Sequence, residues 1–144
     1  MRKRFVIHEH HASRLHFDLR LEIDGVLKSW AVPKGVSMNP ADKRLAVAVP
    51  DHSLSYINFE GTLAEGSYGA GRVAIWDKGE FETQNAEAQL KKGKLIFRVD
   101  GAKLKGEFTL VKFHNNEKNW LIIKSKDEFA DPKFKLETVL EPKK

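Results

Sequence analysis

Residues 16–23 alternate between polar and apolar side chains, and this period of two most limits what the chain can fold into. The polar set is His16, Asp18, Arg20 and Glu22, and the apolar set is Phe17, Leu19, Leu21 and Ile23. Such alternation predicts a half-buried β-strand, in which residues i, i+2 and i+4 share one face. An imidazole, a carboxylate and a guanidinium should therefore project side by side from one surface, as needed to hold a divalent metal next to a phosphate.

The rest of the chain consists mainly of short strand patterns separated by Gly, Asp, Asn and Pro. Strands are predicted over 4–8, 14–23, 26–32, 44–49, 56–62, 72–76, 80–83, 94–99, 104–112 and 120–124, with a helix over 86–92. This pattern predicts a mainly β fold, a closed or nearly closed β-barrel of about eight strands with one or two short helices. A barrel is favoured because its interior or mouth can host polar side chains from several strands. Residues 1–126 are expected to form this domain and residues 127–144 a C-terminal tail.

Glycines and tryptophans add local expectations. Asp24-Gly25 is typical of a tight hairpin turn, and Lys78-Gly79 predicts another turn. The segment from Gly66 to Gly71 lacks the spacing of a P-loop and precedes a strand, so we expect a tight turn or bulge there, in which the backbone comes close to another element. The tryptophans at positions 30, 76 and 120 lie in strand patterns and are expected in the core.

Charge is distributed unevenly along the chain. Residues 1–83 hold 11 Lys and Arg against 11 Asp and Glu, whereas residues 84–144 hold 14 against 9, which accounts for the net charge of +5. A basic half suits a polyanion partner such as nucleic acid. Cysteine is absent, and no apolar run is long enough for a membrane span. We therefore expect a cytoplasmic protein that does not interact with a membrane.

Three ligand-type side chains lie within nine positions, at His10, His16 and Asp18. Two imidazoles and a carboxylate suit manganese, iron or zinc, and they leave coordination positions open for water and substrate. His8 lies two residues before His10 and is a possible accessory group on the same face. The pattern predicts a divalent transition-metal site.

Anion-binding groups accompany this site. Arg20 shares the face of His16 and Asp18, and its rigid fork of donors fits two phosphate oxygens. Lys34 and Arg44 are further candidates, although either could simply be exposed to solvent. His52 and Tyr56 follow the strand-ending Pro50, where a histidine could donate a proton or a hydrogen bond to a reacting phosphate and a tyrosine could add a phenolic donor.

Several blocks of the sequence occur in the same order in a known family. They are Phe5-Val6-Ile7, His10, Ala12-Ser13-Arg14-Leu15-His16-Phe17-Asp18-Leu19-Arg20-Leu21-Glu22, Leu27-Lys28-Ser29-Trp30-Ala31-Val32-Pro33-Lys34-Gly35, Lys43-Arg44-Leu45-Ala46-Val47, Asp51-His52, Tyr56, Phe59-Glu60-Gly61, Tyr68-Gly69-Ala70-Gly71 and Val73-Ala74-Ile75-Trp76-Asp77. The chain resembles the 3′-phosphoesterase domain of bacterial DNA ligase D over roughly residues 5–125. It looks like a free-standing version, without polymerase and ligase modules.

The resemblance implies a manganese-dependent enzyme that heals DNA 3′ ends in non-homologous end joining. Such an enzyme removes a 3′-terminal ribonucleoside and then hydrolyses the remaining 3′-phosphate to a hydroxyl. It implies metal ligands at His10, His16 and Asp18, phosphate contacts at Arg20, Lys34, Arg44 and His52, and an active-site tyrosine at Tyr56. The implied partners are primer–template 3′ ends and a separate ligase or polymerase, and we expect a monomer. The family usually has glutamine where this chain has His8, so His8 could alter metal preference or contact substrate.

Two other functions fit parts of the pattern. His16 and Asp18 have the His-x-Asp spacing of a non-haem iron oxygenase, with His114 as the distal third ligand. A non-catalytic nucleic-acid binder on an OB-like barrel would instead show exposed aromatic side chains in a basic groove and indifference to metal.

Overall fold

The computed structural model describes residues 2–63, 70–113 and 116–140. Its strands are β1 (Lys3–His11), β2 (Leu15–Ile23), β3 (Val26–Val32), β4 (Arg44–His52), β5 (Gly61–Leu63), β6 (Gly71–Glu82), β7 (Lys94–Gly101), β8 (Lys105–Lys112) and β9 (Asn119–Lys124). A 3₁₀ helix spans Leu54–Asn58, and one α-helix, α1, spans Ala86–Lys91. Within the described ranges no helix has the length and apolar character needed to cross a membrane.

Eight of the strands close into an antiparallel barrel. The hydrogen-bonded order is β1-β2-β3-β4-β9-β8-β7-β6, and β6 pairs back with β1. β5 pairs with the first residues of β6 and stands outside this ring. The predicted mainly β fold with a closed barrel is therefore confirmed.

The interior of the barrel is filled by apolar side chains from all eight of these strands, and most of them are large. The fully buried members include Phe5, Phe17, Leu95, Phe97 and Phe108. All three tryptophans belong to the same core, as expected, and none is more than 6% exposed. Burial of such large side chains is the main favourable contribution to folding.

The two ends of the barrel are covered differently. At one end α1 packs Ala86 and Leu90 against the core. At the other end the segment 127–140 crosses the barrel and packs Phe134 and Leu136 against the core. The indole Nε1 of Trp76 donates to the carbonyl of Glu137 over 2.7 Å, which joins this segment to β6. The predicted domain boundary at residue 126 stays a prediction.

The turn predicted at Lys78-Gly79 is wrong, because β6 runs without interruption through these residues. A Cβ atom on Gly79 would lie 2.1 Å from the carbonyl oxygen of Asp100 on β7. The glycine is needed for close approach of two strands rather than for a turn. The same reason holds at Gly71, where a Cβ would lie 2.1 Å from the carbonyl oxygen of His11, as the predicted backbone approach requires. Gly66 and Gly69 lie outside the described residues.

Two further boundaries differ from the predictions. β4 continues through Pro50 to His52, because the strand pairing with β3 shifts by one residue at this point. The segment predicted to be extended over 56–62 begins instead in the 3₁₀ helix, whose Ile57 packs against Val6 and Leu27 on the outside of the barrel. Both differences place side chains, those of His52 and of the 3₁₀ helix, over the outer face of β1, β2 and β3.

Candidate active site

The candidate metal ligands lie on two neighbouring strands. In the β1–β2 register His10 is opposite His16 and His8 is opposite Asp18. Directly opposed residues of an antiparallel pair project to the same face. This is the outer face of the barrel, since Phe17 and Leu19 of β2 point into the core. The site therefore lies on the outer face of the barrel and not in its interior, which was one of the two places, interior or mouth, where polar side chains were expected.

His10, His16 and Asp18 converge on one point. Each offers one ligand atom, and these atoms all lie within 4.8 Å of one another. Nδ1 of His10 is 3.7 Å from Oδ2 of Asp18, and Nε2 of His16 is 3.3 Å from Oδ1 of Asp18. Two imidazoles and a carboxylate in this arrangement are compatible with a divalent metal.

The surroundings of the three side chains prepare them as ligands. Nδ1 of His16 is 3.3 Å from the carbonyl oxygen of Arg14, which can accept a hydrogen bond from Nδ1–H, so Nε2 is the nitrogen that faces Asp18 and the candidate metal position. Burial alone would raise the pKa of Asp18, but hydrogen bonds from His10 and His16 and the charge of Arg20 hold this pKa well below its ordinary value. Burial is the largest single effect on the pKa of His16 and lowers it, but the hydrogen bond to Asp18, the charge of Asp18 and the hydrogen bond to Arg14 together raise it by more, so this pKa is raised. Asp18 is thus ionised at neutral pH, as a metal ligand requires.

Arg20 lies beside this group and is only 4% exposed. Its Nη2 donates to Oδ2 of Asp18 over 3.3 Å, its Nη1 to Oγ of Ser29 over 2.9 Å and its Nε to Nδ1 of His8 over 3.0 Å. The guanidinium is therefore fixed in position on the side of Asp18 and keeps N–H groups that these three bonds do not use.

His8 is fully buried and both of its ring nitrogens are occupied. Nδ1 accepts from Arg20, and Nε2 is 3.1 Å from the carbonyl oxygen of Phe59, to which it donates. Burial and then the charge of Arg20 lower the pKa of His8 to about 4, so this histidine is neutral at pH 7. His8 is not one of the three converging ligands; it connects Arg20 to the segment after the 3₁₀ helix.

His52 reaches the same face because of a β-bulge. Val49 of β4 pairs with Ser29, but His52 pairs with Leu27, so three residues of β4 oppose two of β3. Without the extra residue His52 would point to the core face with Ala46 and Ala48. Burial and the charge of Arg20 lower the pKa of His52.

Tyr56 lies at the centre of a cluster of rings. Its ring stacks on His52 at 4.4 Å between centroids and on Phe59 at 4.8 Å, and it meets the edge of His8 at 5.2 Å. The guanidinium carbon of Arg20 lies 5.0 Å from the centre of the Tyr56 ring. Burial raises the pKa of Tyr56, so its hydroxyl stays protonated at neutral pH. These contacts involve the ring, and the hydroxyl is the group of Tyr56 that can donate a hydrogen bond in the cleft.

These side chains surround one cleft of about 470 Å³. It is lined by His10, Ala12, His16, Asp18, Arg20, Ala31, Val49, Pro50, Asp51, His52, Tyr56 and Leu63. Ligand pockets are on the order of 300–1,000 Å³, so the cleft is large enough for a nucleotide-sized group. The cleft combines the three converging ligands, the buried guanidinium of Arg20 and an apolar wall.

Lys34 and Arg44 do not line this cleft. Lys34 is exposed just after β3, in the turn closed by Gly35. Arg44 begins β4, and its Nη2 donates to Oδ2 of Asp42 over 3.3 Å while its Nε is buried without a hydrogen-bond partner. Their role in binding phosphate stays a prediction. His114 lies outside the described residues.

Sequence reasoning assigned no role to Ser29 and Glu9, yet Ser29 bonds to Arg20 of the site and Glu9 holds the C-terminal segment against β1. Ser29 positions Arg20. This contact could have been predicted, because a two-residue turn at Asp24-Gly25 pairs residue 23 with residue 26 and therefore residue 20 with residue 29. The fully buried carboxylate of Glu9 accepts from Nε2 of His11 and from the backbone N–H groups of Val139 and Leu140. No local pattern reveals that contact, because its partners are about 130 residues apart.

Residues 8–112 match the family described as the DNA Ligase D 3′-phosphoesterase domain. The chain belongs to this family. It is 48% identical over 127 residues to the multifunctional non-homologous end joining protein LigD of Pseudomonas aeruginosa, which covers 86% of this chain and 15% of that protein. It is 40% identical over 135 residues to the multifunctional non-homologous end joining DNA repair protein LigD of Mycobacterium tuberculosis, a match that covers 94% of this chain and 18% of that protein. The chain thus spans less than a fifth of the length of these curated relatives, and it corresponds to their 3′-phosphoesterase domain. This supports a hydrolase with a role in processing DNA ends.

Proposed function

We propose that this chain is a metal-dependent phosphoesterase that repairs the 3′ ends of DNA. It removes a 3′-terminal ribonucleoside, which leaves a 3′-phosphate, and then hydrolyses that phosphate to a 3′-hydroxyl. The observation that carries the proposal is the convergence of His10, His16 and Asp18 in one cleft with the buried guanidinium of Arg20. A metal site beside a fixed cation is suited to a phosphate ester, and membership in the family supports the same chemistry.

The donor set fits a divalent transition metal, and we propose manganese. His10, His16 and Asp18 would hold it, and a bound metal supplies Lewis-acid polarisation of the phosphate. The ionised Asp18 contributes the negative charge, and the bond from His16 to the carbonyl of Arg14 fixes the orientation of that imidazole. The ring of His16 is therefore already oriented for binding a cation.

Arg20 binds the phosphate in this proposal. Its bonds to His8, Ser29 and Asp18 set the guanidinium plane, and the remaining N–H groups donate to phosphate oxygens. A charged donor held rigidly where negative charge increases stabilises the transition state more than a mobile one. Lys34 and Arg44 complete the phosphate-binding set, reaching the substrate from the edge of the site.

His52 acts on the far side of the phosphate from the metal ligands. In both reactions a water oxygen bonds to phosphorus, the bond from phosphorus to the leaving oxygen breaks, and that oxygen takes up a proton. His52 hydrogen-bonds the phosphate or supplies this proton, and stacking on Tyr56 fixes its ring. The hydroxyl of Tyr56 adds a donor. In the first reaction the terminal 2′-hydroxyl engages the site, which separates ribose from deoxyribose.

The substrate is a DNA primer–template whose 3′ end carries a single ribonucleotide or a phosphate. The product is a 3′-hydroxyl end, which a separate ligase can seal or a polymerase can extend. We expect the chain to act as a monomer, because the described residues of one copy supply all three metal ligands and Arg20.

The test is a labelled primer–template ending in one ribonucleotide, incubated with and without manganese while the 3′ end is followed over time. We expect a 3′-phosphate intermediate and then a 3′-hydroxyl, with both steps dependent on metal. His16→Ala or Asp18→Asn should abolish both steps, whereas His52→Ala should slow turnover and still bind manganese. Metal-independent activity, or full activity in the His16 variant, would refute the proposal.

A pair of histidine variants separates this proposal from the oxygenase. His10→Ala should remove metal binding and His114→Ala should not, because His10 belongs to the converging group. The opposite result would favour a His16, Asp18 and His114 site. Salt-sensitive DNA binding without hydrolysis in the presence of manganese would favour the non-catalytic binder.

A further inference from the structure

Five lysines are grouped at the end of the barrel where α1 packs. This group, the lysine rim, consists of Lys91, Lys92, Lys94, Lys112 and Lys118. Lys112 is half-buried and the other four are exposed. None of the five forms an ion pair with a residue in the described ranges, whereas Arg2, Arg4 and Lys105 elsewhere on the barrel are paired with carboxylates. Within the described residues the rim therefore carries five positive charges without a side-chain ion pair.

Backbone hydrogen bonds join the rim to the wall of the cleft. The N–H of Ala48 donates to the carbonyl of Lys118 over 2.7 Å, and the residue after Ala48 is Val49, which lines the cleft. The N–H of Lys112 donates to the carbonyl of Gly93 over 2.8 Å, and Gly93 lies between Lys92 and Lys94 in the sequence. With increasing distance from the cleft wall on β4, the lysines therefore lie next to β9, then on β8 and then on β7.

The distance from the cleft wall to the far side of the rim suits the backbone of a double helix. Neighbouring strands lie about 4.8 Å apart, so the three steps from β4, at the wall of the cleft, to β7 span roughly 14 Å. Each base pair adds about 3.4 Å along a duplex, so this span corresponds to about four base pairs. Lysine is a mobile point charge, which suits contacts with phosphates that do not depend on base sequence.

We infer that the lysine rim binds the phosphate backbone of the duplex that lies behind the 3′ end in the cleft. This inference rests on the proposed function, since it assumes that a DNA 3′ end occupies the cleft. It explains why the net positive charge of the chain resides in residues 84–144, although the converging ligands and Arg20 all lie before residue 21. The cleft recognises the end, and the rim supplies affinity for the duplex.

The experiment compares two charge-matched double variants. Lys112→Gln with Lys118→Gln removes two rim charges, and Lys105→Gln with Lys126→Gln removes two charges at the opposite end of β8 and just after β9. Binding of each protein to a primer–template with a 3′-phosphate is measured over a range of salt concentrations in EDTA. We expect the rim variant to bind roughly tenfold or more weakly near 0.1 M salt, with a salt slope smaller by about two, and the control to match the unmodified protein.

A second substrate separates this inference from the proposed function. A dinucleotide with a 3′-phosphate is too short to reach the rim, so the rim variant should hydrolyse it at the unmodified rate with manganese. An unchanged salt slope in the rim variant, and again in Lys92→Gln with Lys94→Gln, would overturn the inference. If the unmodified protein bound the duplex through the rim but hydrolysed neither substrate, the proposed function would be wrong, whereas the lysine rim would still be a duplex-binding surface.

Discussion

Nε of Arg20 donates to Nδ1 of His8 over 3.0 Å, and this bond places a neutral histidine against a buried cation. Nε2 of the same ring donates to the carbonyl of Phe59. His8 therefore serves as a connector with one acceptor and one donor. It holds Arg20, the proposed phosphate-binding arginine, against the segment that carries Tyr56 and Phe59, so protonation of His8 should disturb the site.

His8→Gln should reduce the acid sensitivity of the fold. The pKa of His8 is about 4 in the folded protein and ordinarily 6.5. At pH values between these two, His8 therefore binds a proton more readily in the unfolded chain than in the folded protein. The stability contributed by neutral His8 is thus present above pH 6.5 and is lost as the pH falls toward 4, by up to about 3 kcal/mol. A glutamine amide can accept from Arg20 and donate to Phe59, and it does not titrate over this range.

Urea unfolding in EDTA at about pH 7.5 and about pH 4.5 measures this difference. The free energy of unfolding should fall less between the two conditions in His8→Gln than in the unmodified protein. Equal losses in the two proteins would show that His8 is not the group that resists protonation.

Tyr56→Phe should separate the hydroxyl from the ring. The stacks on His52 and Phe59 need only the ring, so the midpoint of thermal unfolding should stay within a few degrees. If the hydroxyl donates to the substrate, kcat for 3′-phosphate hydrolysis should fall by roughly tenfold to a hundredfold. Tyr56→Ala is the comparison, and it should lower both stability and activity. Unchanged kcat in Tyr56→Phe would limit Tyr56 to a packing role.

Glu9→Gln should loosen the C-terminal segment. The carboxylate of Glu9 accepts from two backbone N–H groups of this segment and from His11, and an amide nitrogen cannot accept any of these bonds. Loss of a buried acceptor costs about 1–3 kcal/mol in the free energy of unfolding. Glu137→Gln removes the same charge from the segment but keeps its backbone contact with Trp76, so it should leave stability nearly unchanged. Equal unfolding energies for the two variants would contradict the importance of the Glu9 contact.

Local patterns predicted much of the fold because strand periodicity is a local property. The alternation over 16–23 placed β2 correctly, and Asp24-Gly25 forms the expected hairpin turn, with positive φ angles of 55° and 77°. Gly79 was misread because a glycine required by a neighbouring strand has the same appearance in a sequence as a glycine required by a turn. The difference depends on Asp100, which is 21 positions away in the chain.

The candidate site was predictable in part for the same reason. The face shared by His16, Asp18 and Arg20 follows from strand geometry alone, and the structure adds His10 to it through the β1–β2 register. The face to which the His52 side chain points depends on a one-residue bulge at the end of β4. The ring contacts of Tyr56 depend on a 3₁₀ helix. Neither feature leaves a periodic signal, so sequence reasoning could name these residues but not their contacts.

We propose that His10, His16 and Asp18 together bind one cation. The most direct measurement is anomalous diffraction at the manganese absorption edge from a crystal soaked in manganese chloride, with an Asp18→Asn crystal treated in the same way. A single strong peak among the two imidazoles and the carboxylate, absent or much weaker in the variant, is the predicted result. A peak at another position, or none at these three side chains under conditions where the enzyme is active, would contradict the account.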